Sequence, residues 1–289
     1  MPGTPLVRVE LEPGIGIWCK LDFLNPSGST KDRVARYILE NARGRGLLRP
    51  GDMVIEASSG STSIAMALAC AQMGMRFTAV MPEGVSNERM LMIRAFGGRI
   101  NMTSREAGIA GAIVESERLG AELDAFLPRQ FSNPLNVESH RLGTAPEILA
   151  ELPSVAAVVS GVGTGGTLVG LALGCADAIP VFARPVDYLT SDPECCSFSG
   201  RIPGVVECVS KLFREDLLPG LITVEVRAED AIRVTRQIIA SGYPVGPSSG
   251  LNYCAAVEVA RRLRPDANVV TVFPDRMERY FSTELFRGM

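Results

Sequence analysis

Val155-Ala156-Ala157-Val158-Val159-Ser160-Gly161-Val162-Gly163-Thr164-Gly165-Gly166-Thr167-Leu168-Val169-Gly170 runs from an apolar stretch, through a turn of small residues, into an apolar stretch of helical character. That is strand, turn, helix. Outward in both directions the succession repeats. Residues 6–9, 15–21, 53–57, 76–81, 155–160, 222–226 and 269–273 read as strands, with 179–183 a doubtful one. Residues 31–43, 62–74, 88–96, 107–120, 145–152, 228–240 and 251–263 read as helices. Such alternation predicts an α/β fold with mainly parallel sheets. Sheets of this kind gather ligands where strands end and small-residue turns lead into helices. Two more turns share that character: Glu56-Ala57-Ser58-Ser59-Gly60-Ser61-Thr62 and Gly246-Pro247-Ser248-Ser249-Gly250. Residues 184–214, with three prolines and no clear period, read as an irregular excursion across a surface or cleft mouth.

The chain has 289 residues, 46% hydrophobic and 21% charged, with a net charge of -3. This composition suits a globular protein of one large or two ordinary domains, and gives no bulk attraction to nucleic acid or acidic membranes. The longest apolar stretch, 64–75, is interrupted and shorter than the roughly 20 residues of a bilayer span. The first residues lack the basic start and apolar core of a secretory signal, so a cytoplasmic protein is expected. Seven cysteines, two of them adjacent at Cys195-Cys196, show no metal-ligand spacing and read as reduced thiols.

Lysine is scarce. Of the three, Lys20, Lys31 and Lys211, only Lys31 stands in a conspicuous turn, Asn25-Pro26-Ser27-Gly28-Ser29-Thr30-Lys31-Asp32-Arg33, with Ser29 or Thr30 as N-cap of the helix that follows. An ammonium at a helix N-terminus meets an unfavourable dipole, which favours the neutral, nucleophilic amine that a Schiff-base lysine needs; the bland alternative is a solvated lysine. Residues 161–167 form a cradle of backbone N–H groups suited to phosphate. Residues 161–166 also satisfy G-x-G-x-x-G, with Asp187 about twenty residues beyond, the spacing of a dinucleotide fingerprint. The hydroxyls of Ser58, Ser59, Ser61 and Thr62 suit a carboxylate or simply cap the next helix. Ser248 or Ser249 offers a hydroxyl to a ring nitrogen or caps a helix from Leu251. The single His140 lacks a nucleophile partner in sequence and reads as structural.

Taken together, the ordered blocks resemble the cysteine synthase (O-acetylserine sulfhydrylase) family, fold type II pyridoxal-phosphate enzymes. They comprise Thr4-Pro5-Leu6-Val7, residues 25–33, the serine-rich loop at 57–63, Gln130-Phe131-Ser132-Asn133-Pro134 with His140 and Thr144-Ala145-Pro146-Glu147, the turn at 161–167, the turn at 246–250, and Pro274-Asp275 with Arg279-Tyr280-Phe281-Ser282-Thr283. Ser199-Gly200-Arg201-Ile202-Pro203-Gly204-Val205, followed by Leu218-Pro219-Gly220, is most similar to the B-type isozyme. The resemblance implies a two-domain, tryptophan synthase β-like α/β fold, each domain a mainly parallel sheet flanked by helices. Residues 1–34 and 141–289 would form the larger, cofactor-binding domain and 35–140 the smaller, mobile one.

Residue by residue, the resemblance implies that Lys31 holds pyridoxal 5'-phosphate covalently. Gly163, Thr164, Gly165, Gly166 and Thr167 would bind its phosphate, Ser61 its ring oxygen and Ser248 its ring nitrogen. Ser58, Ser59, Gly60, Thr62 and Gln130 would bind the substrate carboxylate. The implied reaction is β-replacement on an O-activated serine (O-acetylserine or O-phosphoserine) through an α-aminoacrylate, with sulfide or a related nucleophile, giving cysteine or an analogue. A homodimer is implied, and serine acetyltransferase is a possible partner. Two departures stand out: Ser61 occupies the place of the family's Asn, and Ser63 that of a Gly. A Ser-Ser-Gly-Ser-Thr loop is similar to that of relatives that degrade cysteine, so β-elimination is an alternative. Arg201 would favour an anionic partner or be an exposed structural residue. From other classes, a nicotinamide oxidoreductase using residues 161–166 and a non-catalytic relative that binds the acetyltransferase remain as alternatives.

Overall fold

The computed structural model describes residues 3–186, 202, 203, 205 and 210–288. The readings placed on Asp187, Cys195, Cys196, Ser199, Gly200, Arg201, Gly204 and Cys208 lie outside the described residues.

Two sheets organise the chain. The larger holds β1 (Leu6–Glu12), β2 (Ile15–Lys20), β6 (Ala157–Ser160), β7 (Ile179–Val186), β8 (Ile222–Arg227) and β9 (Val269–Val272) in the order β1-β2-β9-β6-β7-β8. Only the β1–β2 pair is antiparallel; every other neighbour is parallel. The smaller sheet is parallel throughout, with β3 (Met53–Ala57), β4 (Arg76–Pro82) and β5 (Arg99–Thr103) in sequence order. The expected α/β class with mainly parallel sheets flanked by helices is therefore observed. Central strands such as β6 and β9 are buried at every position, which is why they read as continuous apolar runs rather than alternating ones.

Helices α1 (Lys31–Gly44), α2 (Ser61–Met73), α3 (Asn87–Ala95) and α4 (Gly108–Glu122) accompany the smaller sheet. On α1 the buried residues Val34, Ala35, Ile38, Leu39 and Ala42 recur at helical spacing and join the core beneath α2. Ile38 and Leu39 are fully buried, each contributing about 1.5–3 kcal/mol of apolar transfer. Helices α5 (Leu135–Ser139), α6 (Ala145–Glu151), α7 (Gly166–Gly174), α8 (Ala228–Ala240) and α9 (Pro247–Ala260) complete the set. A π-helical run, His140–Thr144, joins α5 to α6.

Two local expectations need correction. Residues 179–186 form a full strand, buried at Pro180, Val181, Phe182 and Ala183. Its two prolines hid it, but strand pairing between β6 and β8 fixes it. Helix α9 begins at Pro247, not at 251, because proline suits the first helical position; Ser248 and Ser249 lie in its first turn. Of the two expected caps, Thr30 stands at the N-cap of α1 in helical conformation and donates its hydroxyl to Asp22 Oδ2 at 2.8 Å, and it is Ser29 Oγ that accepts from Lys31 N, at 3.3 Å.

The connections place the site. Strands β2, β9 and β6 are neighbours and parallel, so the segments after them emerge side by side at their carboxyl ends. These are the Lys31 turn, residues 273–276 and the glycine-rich turn. The chain leaves β6 toward β7 on one side while β9 lies on the other, the kind of switch point at which a ligand crevice opens.

Candidate active site

One cavity collects the chemistry-bearing turns. Lys31, Ser59, Ser61, Thr62 and Gln130 line it from one side, and Gly161, Gly163, Thr164, Gly165, Thr167 and Ser248 from the other. Arg89, Asn252 and Asp275 also face it. Ser58, Gly60 and Gly166 do not line it.

Lys31 is the first residue of α1, and its Nζ donates to none of the described residues. Burial lowers its pKa, an effect partly offset by the carboxylates of Asp275 and Asp22. Burial acts in the same direction as the helix dipole at this N-terminal position. Of the other lysines, Lys20 is fully buried in an ion pair with Glu147 at 2.9 Å, and Lys211 is exposed.

The turn before α7 is built for close approach. Gly165 has φ of +80°, a left-handed backbone that favours glycine. At Gly166 a Cβ would come within 1.9 Å of Asn136 Oδ1. The first N–H groups of α7 have no intrahelical partner, and that of Gly166 donates to Thr164 Oγ1 at 3.4 Å. Asn136 Nδ2 donates to Thr164 Oγ1 (2.9 Å) and to the Gln130 carbonyl (2.8 Å), tying this turn to the opposite wall. His140 is fully buried between Thr144 Oγ1 (2.9 Å) and Thr167 Oγ1 (3.2 Å). Burial pushes its pKa down to about 3, so it is a neutral, structural support for Thr167.

The serine-rich loop divides its labour. Ser58 Oγ shares a 2.6 Å hydrogen bond with Ser63 Oγ and accepts from the N–H groups of Gly60 and Ser63. Its hydroxyl is consumed inside the turn, unlike those of Ser59 and Thr62, which border the cavity. Gly60 has φ of +140°, and a Cβ there would meet Arg89 Cδ at 2.3 Å. Thr62 Oγ1 donates to Gln130 Oε1 at 2.6 Å, while Gln130 Nε2 donates to the Ala57 carbonyl at 2.7 Å. Among the described residues the other amide N–H of Gln130 has no acceptor. Ser61 Oγ donates across the cavity to Asp275 Oδ2 at 3.1 Å.

The family model described as pyridoxal-phosphate dependent enzyme matches residues 2–275. The chain belongs to that family. A probable cysteine synthase from Bacillus subtilis is 36% identical over 98% of this chain and 94% of its own. Cysteine synthase B from Campylobacter jejuni is 35% identical over 98% of this chain and 95% of its own. Among solved structures, a hydrogen sulfide-producing enzyme from Fusobacterium nucleatum superposes with a TM-score of 0.89 at 32% identity, covering 99% of this chain and 90% of that one. These matches favour pyridoxal phosphate over a nicotinamide cofactor for the glycine-rich turn. Among the described residues no group of His, Cys, Asp and Glu is arranged to hold a metal, and no helix is long and apolar enough to cross a membrane.

The cavity's donor set fits the family cofactor. An amine for the aldehyde, a glycine-rich turn leading into a helix N-terminus with two threonine hydroxyls for the phosphate, and Ser248 line one cavity from separate elements. Sequence reasoning missed Asn136, Arg89 and the role of Asp275. The first two sit in polar stretches with no small-residue turn to mark them, and Asp275 was visible only as part of a motif.

Glu56 was missed as well. It is 3% exposed at the end of β3, with Oε1 accepting from Ala57 N (2.9 Å) and Oε2 from Gln130 N (3.1 Å). Burial pushes its pKa up to about 8, against the pull of those two N–H groups. Between an unfolded value of about 4.5 and this folded one, the folded chain holds a proton that the unfolded chain releases. Stability from this group therefore falls as pH rises through that window. Glu56→Gln removes the titration, so its stability relative to wild type is expected to improve from pH 5 to pH 8 by on the order of 2 kcal/mol, read from denaturant midpoints. Parallel pH curves for the two proteins would contradict this.

Proposed function

We propose that the chain catalyses β-replacement on an O-activated serine, O-acetylserine or O-phosphoserine, with sulfide or a related nucleophile, yielding cysteine or an analogue. The observation that carries the reading is the single cavity in which the Lys31 amine meets the serine-rich loop, the glycine-rich turn and Ser248. Family membership and the cysteine synthase relatives support it.

Bound pyridoxal phosphate supplies an electron-withdrawing ring that weakens the bonds at Cα and Cβ of an amino acid joined to it. The residues of this chain do the rest. Gly163, Thr164, Gly165, Gly166 and Thr167 take the phosphate at the start of α7, with His140 and Asn136 holding the two threonine hydroxyls in place. Ser248, which lines the cavity, would serve the ring nitrogen, and a hydroxyl there would not keep that nitrogen protonated as a carboxylate would. Ser59, the backbone N–H of Thr62 in the first turn of α2 and the second amide N–H of Gln130 receive the substrate carboxylate, while the Thr62 hydroxyl, given to Gln130 Oε1, orients that amide and Ser58 and Gly60 shape the loop. Lys31 Nζ, its basicity lowered by burial, takes the proton from substrate Cα and returns it after the nucleophile has added to Cβ. Closure of residues 35–140 over this cavity excludes water from the reacting carbon; the separate sheet and core of that segment support such a movement.

A homodimer in the cytoplasm belongs to the same reading. Exposed Leu142, Leu149 and Leu173 lie on three helical segments that pack together and offer an apolar face for it. Serine acetyltransferase is a further proposed partner, as a source of the activated serine. A second reading, β-elimination from cysteine, is favoured by Ser61, which cannot donate and accept as the family's amide does, and by the likeness to the sulfide-producing enzyme.

Incubation with O-acetylserine plus sulfide, and separately with cysteine alone, separates the two. Cysteine accumulation in the first and little sulfide or pyruvate in the second is the expected result. Rapid sulfide and pyruvate release from cysteine, with no synthesis, would establish the second reading instead.

A further inference from the structure

Asp275 stands where the Lys31 turn, the serine-rich loop and the Ser248 turn meet. Its backbone bridges to Ser29, with Thr30 N donating to the Pro274 carbonyl (2.7 Å) and Arg276 N to the Gly28 carbonyl (3.2 Å), so it borders the segment that delivers Lys31. Its own carbonyl accepts from Gly246 N at 2.8 Å, at the start of the turn that carries Ser248. A Cβ at Gly246 would lie 2.3 Å from Asp275 Oδ1, which explains the glycine. Oδ2 accepts from Ser61 Oγ (3.1 Å) and from Tyr280 Oη (2.7 Å). Oδ1 is buried without a hydrogen-bond partner. The residue is 5% exposed and lines the cavity.

Ser61 has one proton to give, and it is given to this carboxylate. Toward the cavity the hydroxyl therefore presents lone pairs only. Tyr280 in turn lies under Arg89, whose guanidinium carbon is 4.9 Å from the ring centre and whose side chain packs on Gly60. The serine-rich loop is thus held from both sides by the 275–280 segment.

We propose that Asp275 is a positioning residue of this active site: it orients Ser61 as a hydrogen-bond acceptor and keeps a negative charge beside the nitrogen of Lys31. The proposal rests on the reading of Lys31 as the cofactor-bearing lysine. A charge so placed stabilises a proton on that nitrogen, and Ser61 as an acceptor favours a ligand group that carries a hydrogen over an oxyanion. Other ionisable groups around the pair are Asp22 and His140 beside Lys31, and Tyr280 beside Asp275, with Arg89 and Arg279 beside Tyr280 in turn. His140 is neutral near pH 7, and Arg276 turns away to pair with Glu278.

The test is the visible absorption spectrum of the cofactor-bound protein against pH, for wild type, Asp275→Asn and Ser61→Ala. In Asp275→Asn the pH at which the protonated visible band is lost is expected to fall by about one unit or more. In Ser61→Ala, which keeps the carboxylate, it is expected to stay within about 0.3 units of wild type, while KM for the amino-acid donor rises by about tenfold. If the amide variant does not accumulate as folded protein, Asp275→Ser serves the same measurement. The same pH dependence in wild type and the charge-removing variant overturns the proposal. Absence of any visible band from wild type supplied with the cofactor overturns the underlying reading of Lys31.

Discussion

Lys31→Ala is expected to lose covalently held cofactor and to lower turnover by about 10³-fold or more, while remaining folded. The size of the effect follows from the cavity's composition. Of three lysines in the chain, Lys31 alone lines it, so no neighbouring amine can take over either the attachment or the proton transfer at substrate Cα. Lys31→Arg is expected to be nearly as damaging, because a guanidinium stays protonated and cannot act as nucleophile or base. Stopped-flow and steady-state rates, with circular dichroism to verify folding, check this. A variant retaining more than about a tenth of wild-type turnover would be incompatible with the proposed role.

Arg33→Ala is expected to produce the largest loss of stability, about 3–5 kcal/mol, or on the order of 10 °C in melting temperature. Arg33 lies two residues beyond Lys31 and holds two carboxylates. Its Nη2 contacts Asp22 Oδ1 at 2.9 Å, and its Nη1 contacts Glu147 Oε1 at 2.7 Å. Asp22 is fully buried, with further bonds from Thr4 Oγ1 and Thr30 Oγ1, both at 2.8 Å. Burial alone would raise the Asp22 carboxyl, but the Arg33 guanidinium beside it holds it below its ordinary value. Truncating Arg33 strands that charge in the interior and leaves Lys20 as the one cation on Glu147 among the described residues. Arg33→Lys keeps a charge without the planar fork and is expected to recover only part of the loss. Thermal or denaturant unfolding reads the difference; a loss under about 1 kcal/mol would show that the cluster is solvated rather than buried.

This cluster also marks the boundary of what the sequence discloses. Pattern reading located β3 over the observed residues and most other elements to within a few residues, because parallel central strands and helices with one apolar face leave strong periodic signals. Strand β5 escaped it: Arg99–Thr103 is a half-buried edge strand whose composition does not separate it from a loop. The turns at 57–62, 161–167 and 246–250 were legible because backbone approach to a ligand demands small residues, and all three border one cavity. Side-chain partnerships across long separations were not. Nothing local in the sequence announces that Ser61 reaches Asp275, that Thr62 reaches Gln130, or that Asn136 joins Gln130 to Thr164. Those pairings are set by how the two sheets face each other.

Borohydride reduction of the cofactor-loaded protein, followed by peptide mass mapping, tests the central claim most directly. A pyridoxyl group fixed to Lys31, absent from Lys20 and Lys211, is the predicted result. Its presence on another lysine, or on none when the purified protein carries the cofactor's visible band, would contradict the account.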